Sequence, residues 1–414
     1  MYENKEEIQR AVLAAADTGE YDIDVSLAEL AELAKTAGAE VLATVTQKRD
    51  APDNATCLGS GRLAELCDFC EKNEANLVIF DHELSAAQIR NIEEIVKVRV
   101  IDRTMLILDI FALRAVSKEG KVQVELAQQR YRLPRLLGLG TQLSRLGGGI
   151  GTRGPGETKL EADRRHIRRR ISFLEEELRE LTRQREDLRK RRKKNGVLTA
   201  AIVGYTNVGK STLLNALTDA GVLAEDKLFA TLDPTARALK LPDGRNIVLI
   251  DTVGLIRRLP HQLIEAFKST LEEAAGADII LNVCDITSSE TQTQLEVTRT
   301  LLEEIGASDI PVLTVYNKCD LVFEKPLPIN GSRVFISAKT GEGFDEMLQT
   351  VAATLKETTR RLRVTIPYAE GGLAAQVRTE GKLLEESFHE GGITLDAIVD
   401  TRTRLYQALV RYEQ

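Results

Sequence analysis

The residues with the plainest chemical purpose are Gly204-Tyr205-Thr206-Asn207-Val208-Gly209-Lys210-Ser211, followed by Thr212. Spaced glycines, a lysine and a hydroxyl residue form the pattern in which successive backbone N–H groups close around phosphate oxygens. The apolar run Thr199–Val203 before it reads as a strand and Ser211–Leu217 after it as a helix. The loop therefore opens onto a helix N-terminus, where free N–H groups and the helix dipole favour an anion. Lys210 is expected to bridge β- and γ-phosphates, and the Ser211 hydroxyl to ligate Mg2+.

Three more motifs follow, each at the end of an apolar run. Asp251-Thr252-Val253-Gly254 ends Ile247–Ile250; a carboxylate there holds Mg2+ through water, and the Gly254 N–H senses the γ-phosphate. Asn317-Lys318-Cys319-Asp320 follows Val312–Tyr316. Its Asp320 can accept from guanine N1–H and the 2-amino group, a donor pair that adenine lacks. Ser337-Ala338-Lys339 follows Val334–Ile336 and is expected to cover the base through backbone contacts to O6. Between the first two motifs lies Phe229-Ala230-Thr231-Leu232-Asp233-Pro234-Thr235. Thr231 is expected to complete the Mg2+ shell and to order only with the γ-phosphate, with Thr235 as the alternative.

This set, in this order, implies a P-loop protein that binds Mg2+ with GTP or GDP and hydrolyses GTP. Lys210, Thr231 and Gly254 are the expected catalytic contributors. The residue after Gly254 is Leu255, whose aliphatic side chain cannot orient water as glutamine does in many such sites. Slow intrinsic hydrolysis, raised by a partner or by another residue brought in when the switches order, is the expectation. Arg257 and Arg258 lie near enough in sequence to approach the phosphates, though solvated loop arginines are the simpler reading.

Elements that must position these motifs alternate strand and helix from Leu198 to about Glu357, as a doubly wound, mostly parallel sheet requires. Residues 1–103 read as a separate α/β unit, with helices at Ser26–Ala37, Arg62–Ala75 and Ser85–Val96 and strands at Val41–Thr46, Leu77–Phe80 and Val98–Ile101. Residues 104–196 read as two antiparallel helices joined near the glycine-rich stretch Gly147–Gly156. Leu160, Ile167, Ile171, Leu174, Leu178, Leu181 and Leu188 mark a coiled-coil seam. The G domain is expected over 197–358 and a small α/β domain over 359–414, with strands at Arg363–Ile366 and Leu383–His389. The fold class is α/β, in several domains.

Composition is that of a globular protein, with 43% hydrophobic and 29% charged residues. No apolar run is long enough to span a bilayer. Met1–Arg10 lacks the apolar core of a signal peptide, and five cysteines in 414 residues make no disulfide framework. A cytoplasmic monomer is expected. Cys67 and Cys70 form a lone pair on a helix and read as packing. The net charge of −7 hides one basic element, Arg189–Lys194, six cations in a row with no acid beside them. Contact with RNA phosphates is the favoured reading.

Stretches outside the nucleotide motifs carry a further resemblance: Gly59–Arg62, Phe80–Leu84, Ile101–Thr104, Ser117–Lys121, Gly147–Lys159 and Leu259–Glu272. Together they resemble the HflX family of translation-factor-like GTPases, over nearly the whole chain. The family also carries an aliphatic residue in the place of Leu255. The resemblance implies a GTPase that binds the large ribosomal subunit and its rRNA, with the helical arm, the Gly147–Gly156 loop and Arg189–Lys194 facing RNA. It also implies dissociation of stalled ribosomes under stress. A signalling-type switch that docks a protein through its coiled-coil arm is the alternative. ATP use by the N-terminal unit is disfavoured, because that unit has no Walker motif.

Overall fold

The computed structural model describes residues 8–143, 155–194, 197–218, 228–229, 235–258, 271–323, 333–355 and 359–413. They fall into two compact units, one of residues 1–181, 227–229 and 257–266, the other of 182–226, 230–256 and 267–414.

The first unit holds four parallel strands, β1 (Gln9–Asp17), β2 (Ala39–Lys48), β3 (Leu77–Phe80) and β4 (Arg99–Asp102), in the order β2-β1-β3-β4. Helices α1 (Ile23–Thr36), α2 (Ser60–Lys72), α3 (Ala86–Val96) and α4 (Arg103–Arg114) connect and cover them. Strand β1 was not expected from sequence. Its Ala11–Ala16 run has high helix propensity, yet all six residues are fully buried. Val12, Ala14 and Ala16 meet α2 and α3, while Ala11, Leu13 and Ala15 point to the opposite face. A central strand covered on both faces needs small apolar residues, and that tertiary demand overrides propensity. Local chemistry starts the helices. Asp22 caps α1, Ser85 and Gln88 form a capping box on α3, and Asp102 caps α4.

The arm is α5 (Lys118–Leu143) against α6 (Pro155–Lys194). Ion pairs Lys118–Glu177, Arg130–Glu175 and Arg170–Glu125 fix them antiparallel. Leu174, fully buried, packs with Val122 and Leu126, flanked by Ile171, Leu178 and Leu181. The expected seam runs too far, since Leu188 is 56% exposed. Lys118, at the start of α5, already lies opposite Glu177, so no residue of α5 remains to cover Leu188. The glycines at 147–149, 151 and 154 lie outside the described residues; Gly156 falls in the first turn of α6.

The second unit is built on β5 (Leu198–Val203), β6 (Thr235–Lys240), β7 (Asn246–Asp251), β8 (Ile279–Asp285), β9 (Val312–Asn317) and β10 (Arg333–Phe335), with α7 (Lys210–Thr218) directly after β5. Their order is β10-β9-β8-β5-β7-β6, parallel except for β6, which runs antiparallel to β7. This is the doubly wound, mostly parallel sheet expected. Strand β6 escaped notice because most of Thr-Ala-Arg-Ala-Leu-Lys is exposed and lacks an apolar run. The C-terminal sheet, β11 (Thr359–Ile366), β12 (Lys382–His389) and β13 (Gly392–Asp400), is antiparallel in the order β11-β13-β12. Its central β13 also went unread. Ile393, Leu395, Ala397 and Val399 face the helices, but the intervening Asp396 and Asp400 look like loop residues. Arg361 satisfies Asp396 with a two-pronged ion pair, 2.8 and 2.6 Å.

The basic run at the end of α6 does have acids beside it, contrary to expectation. Arg185 pairs with Glu272 at 2.7 Å, Arg189 donates to the Glu272 carbonyl at 3.1 Å, and Arg192 reaches Glu273 at 3.3 Å. These partners lie more than eighty residues further along the chain, which hid them from a reading by local charge. Lys190 and Arg191 remain exposed.

Candidate functional site

Because β5, β7, β8, β9 and β10 are parallel, their C-terminal ends line one edge of the sheet. Successive connections diverge from β5, whose two neighbours are β7 and β8, and a crevice opens there at the strand ends. The four expected motifs all leave this edge. Gly204–Ser211 follows β5, Asp251 ends β7, Asn317 ends β9, and Ser337 follows β10.

Backbone geometry explains the glycines. Gly204 has φ +147°, and a Cβ there would lie 2.2 Å from the Val283 carbonyl oxygen; Gly209 has φ +93°, with Asn317 Nδ2 at 2.3 Å from such a Cβ. A side chain at either position breaks the loop. Asn207 also takes a left-handed conformation, φ 60°, which asparagine tolerates better than most residues. Tyr205 and Val208 are buried, and Thr206 is half-buried.

Lys210 is almost wholly buried, and its Nζ donates to the Tyr205 carbonyl at 2.7 Å. Burial pushes its ammonium down to about 8, although the Asp251 carboxylate works in the other direction. Ser211 Oγ donates to Asp251 Oδ2 at 2.9 Å, so the two expected metal residues converge. Thr252 is fixed by its hydroxyl to the Ile202 carbonyl at 2.7 Å, and Val253 is buried. Thr212 is exposed on the first turn of α7.

Asn317 ties the two halves of the site together. Its Nδ2 donates to the Val208 carbonyl at 2.8 Å, and its Oδ1 accepts from the Ala338 N–H at 2.8 Å. One buried amide thus locks the phosphate loop, the Asn317–Asp320 turn and the Ser337–Lys339 turn in register. Lys318 stands at φ 66° with its ammonium 2.7 Å from Asp285. Burial raises the Asp285 carboxyl, but its bonds from Lys318 and Thr287 bring it below the usual range. The sequence reading missed Asp285; a carboxylate directly after the run Ile279–Cys284 was the available signal. Asp320 is exposed, as a side chain that reads an incoming base must be. Ser337 and Ala338 are buried and Lys339 is exposed.

Phe229 belongs to the first unit, its ring edge-on to Phe111 at 4.7 Å. Arg258 is no solvated loop residue, since it is held by Asp81 of the first unit. Ala230, Thr231, Leu232 and Asp233 lie outside the described residues. The five cysteines are free, and Cys70 is buried in the packing of α2. Among the described residues, no helix is long and apolar enough to cross a membrane, and no three His, Cys, Asp or Glu side chains gather as a metal cluster.

Comparison with known proteins agrees with this geometry. Residues 24–112 match the family model described as "GTP-binding GTPase N-terminal", 114–192 match "GTP-binding GTPase Middle Region", and 199–318 match "50S ribosome-binding GTPase". The chain is 53% identical to GTPase HflX of Caldanaerobacter subterraneus subsp. tengcongensis, covering 94% of this chain and 91% of that one. It is 44% identical to GTPase HflX of Escherichia coli, with 93% of each covered. Among solved structures it is similar to SsGBP in complex with GDP, at 27% identity and a TM-score of 0.50, covering 84% of this chain and 99% of that one. With three family models in order along its length and such identity over whole relatives, the chain belongs to the GTPase HflX family.

Proposed function

We propose that this protein binds GTP at the β5 edge of its second unit, hydrolyses it to GDP and phosphate, and works on the large ribosomal subunit. The observation that carries the chemical part is the Asn317 amide, which joins the phosphate loop to both base-facing turns. Such a lock holds the phosphate loop and the base turns at a fixed spacing, as one ligand that spans both requires. In this reading Lys210 neutralises the β- and γ-phosphates, the Gly254 N–H meets the γ-phosphate, Asp320 selects guanine, and Ser337–Lys339 close over the base. Gly204–Thr212, Asp251–Gly254, Asn317 and Lys318 shape the pocket, with Phe229–Asp233 joining when triphosphate is present.

The donors present suit Mg2+. Ser211 Oγ and Asp251 Oδ2 are hard oxygen ligands 2.9 Å apart, and Mg2+ sites of this kind use one or two protein oxygens with water and phosphate. When bound, the ion neutralises charge on the transferring phosphate. Leu255 leaves water orientation to a partner, so turnover depends on the ribosome.

The match of residues 199–318 to a 50S ribosome-binding GTPase supports the ribosomal part, as do the HflX relatives. The protein acts as a cytoplasmic monomer with boundaries near residues 103, 196 and 358. It dissociates stalled ribosomes into subunits under stress, with the arm, the Gly147–Gly156 loop and the basic end of α6 against rRNA. Co-sedimentation with large subunits tests this. Binding should require GTP or a non-hydrolysable analogue and should weaken by about a thousandfold between 50 and 200 mM salt, as a contact with several phosphates does. Salt-insensitive binding, or none, would instead favour a switch that docks a protein partner through the seam of α5 and α6.

A further inference from the structure

Within the first unit, α4, α5 and α6 enclose a cavity of about 270 Å³. Its lining follows helix periodicity. Met105, Leu108 and Asp109 lie three and four residues apart on one face of α4, and Tyr131, Arg132, Arg135 and Leu136 do so on α5. Ile167 of α6 closes the third side. Pro134 lies inside α5, next to Arg135. It offers no N–H to the preceding turn, and its ring crowds the carbonyl four residues back. A turn disturbed in this way packs less closely on its neighbours, and the cavity lies against it.

Met105, Leu108, Leu136 and Ile167 make the walls apolar, whereas most polar groups among them are donors. Tyr131 is buried, and its hydroxyl makes no well-formed hydrogen bond. Burial and the nearby Asp102 carboxylate push its phenol up, so it keeps its proton. Arg135 lies over the Tyr131 ring at 3.3 Å. It donates to the Leu84 carbonyl at 2.8 Å, the Tyr131 carbonyl at 3.0 Å and Asp102 at 3.1 Å, yet its buried Nε has no partner. Arg132 is exposed at the rim, and among the described residues no ion pair holds it. Asp109 is the one carboxylate in the lining. Burial pushes its carboxyl up, against the pull of Arg99 and Arg132, so its own negative charge is poorly accommodated.

Apolar walls with a few convergent polar groups are the usual build of a small-molecule site. Buried donors without acceptors call for oxygen atoms, and a guanidinium pairs best with a carboxylate. We propose that this cavity binds an organic acid with an apolar body, its hydrocarbon between the three helices and its carboxylate toward Arg132, Arg135 and Tyr131. No residue of this site belongs to the nucleotide crevice, so it goes beyond the GTPase reading and does not depend on it.

Calorimetric titration of the full chain with octanoate, octanol and octylammonium tests the assignment, for wild type, Arg132→Ala, Asp109→Asn and Ile167→Trp. Octanoate should bind most tightly of the three. Arg132→Ala should weaken it about tenfold, the loss of one charged hydrogen-bonding partner. Asp109→Asn should tighten it about two- to fivefold, because a nearby like charge is removed. Ile167→Trp, which fills the cavity, should weaken it about tenfold or more; if that variant does not fold, the two charge variants decide. Preference for octylammonium or octanol overturns the acid assignment. Absence of octanoate binding, or binding that none of the substitutions alters, overturns the site itself.

Discussion

Replacing Lys210 with alanine lowers affinity for GTP by a factor on the order of 1000 and leaves the fold in place. The magnitude follows from what the ammonium gives up. Each hydrogen bond between charged groups is worth about 1.5–3 kcal/mol, two phosphate groups are engaged, and about 1.4 kcal/mol corresponds to a factor of ten. The fold survives because the free protein gains little from this cation. Lys210 is buried with the Tyr205 carbonyl as its hydrogen-bond partner, and burial holds its ammonium down at about 8. A folded-state value below the usual one for lysine means that the cost of burying the charge is present below pH 8 and relieved as pH rises above it. Nucleotide binding has the opposite sense, since the phosphates need the charged form. Affinity should therefore fall by about tenfold for each pH unit above 8, a trend that disappears in Lys210→Ala. Calorimetric titration at pH 7, 8 and 9 measures both effects. Undiminished binding by the alanine variant would remove Lys210 from the phosphate site.

The second large effect concerns the base. Asp320→Asn should weaken GTP by about 100- to 10,000-fold, the range in which a site built to pair with a ligand's hydrogen-bonding groups rejects a mismatch. The same change should bring in xanthosine triphosphate, because the amide offers a donor where the carboxylate offered only acceptors and xanthine presents a carbonyl at that position. Little else should move. Asp320 is exposed, while the register of its turn is set by Asn317 and by the Lys318–Asp285 pair. Competition between guanine and xanthine nucleotides for the purified protein gives the result directly. Equal loss of both would assign Asp320 to the fold of the turn and not to reading the base.

Much of the second unit was legible because its chemistry is local. A phosphate loop must pack glycines, lysine and hydroxyl into one turn between strand and helix, and β5 to α7 does so. What escaped depends on distant residues. Nothing in Ala11–Ala16 distinguishes a helix from a central strand until α2 and α3 stand over it. Asp396 and Asp400 made β13 look like loop, because the arginine that satisfies Asp396 lies on another strand. The cations at the end of α6 looked unbalanced because Glu272 and Glu273 belong to a helical stretch far along the chain. Arg258 failed in the same way. As a sequence neighbour of Gly254 it suggested either phosphate or solvent, and its partner, Asp81, was visible only as part of a family stretch without a role. Motifs that act on a ligand are written in consecutive residues, whereas charges that position them are paired across the fold.

GTP turnover by the purified protein, with and without isolated large ribosomal subunits and with ATP in parallel, tests the central claim most directly. Leu255 cannot orient water, so the account predicts slow turnover by the protein alone and stimulation by subunits of about tenfold or more, with no effect on ATP. Equal turnover with and without subunits would contradict it.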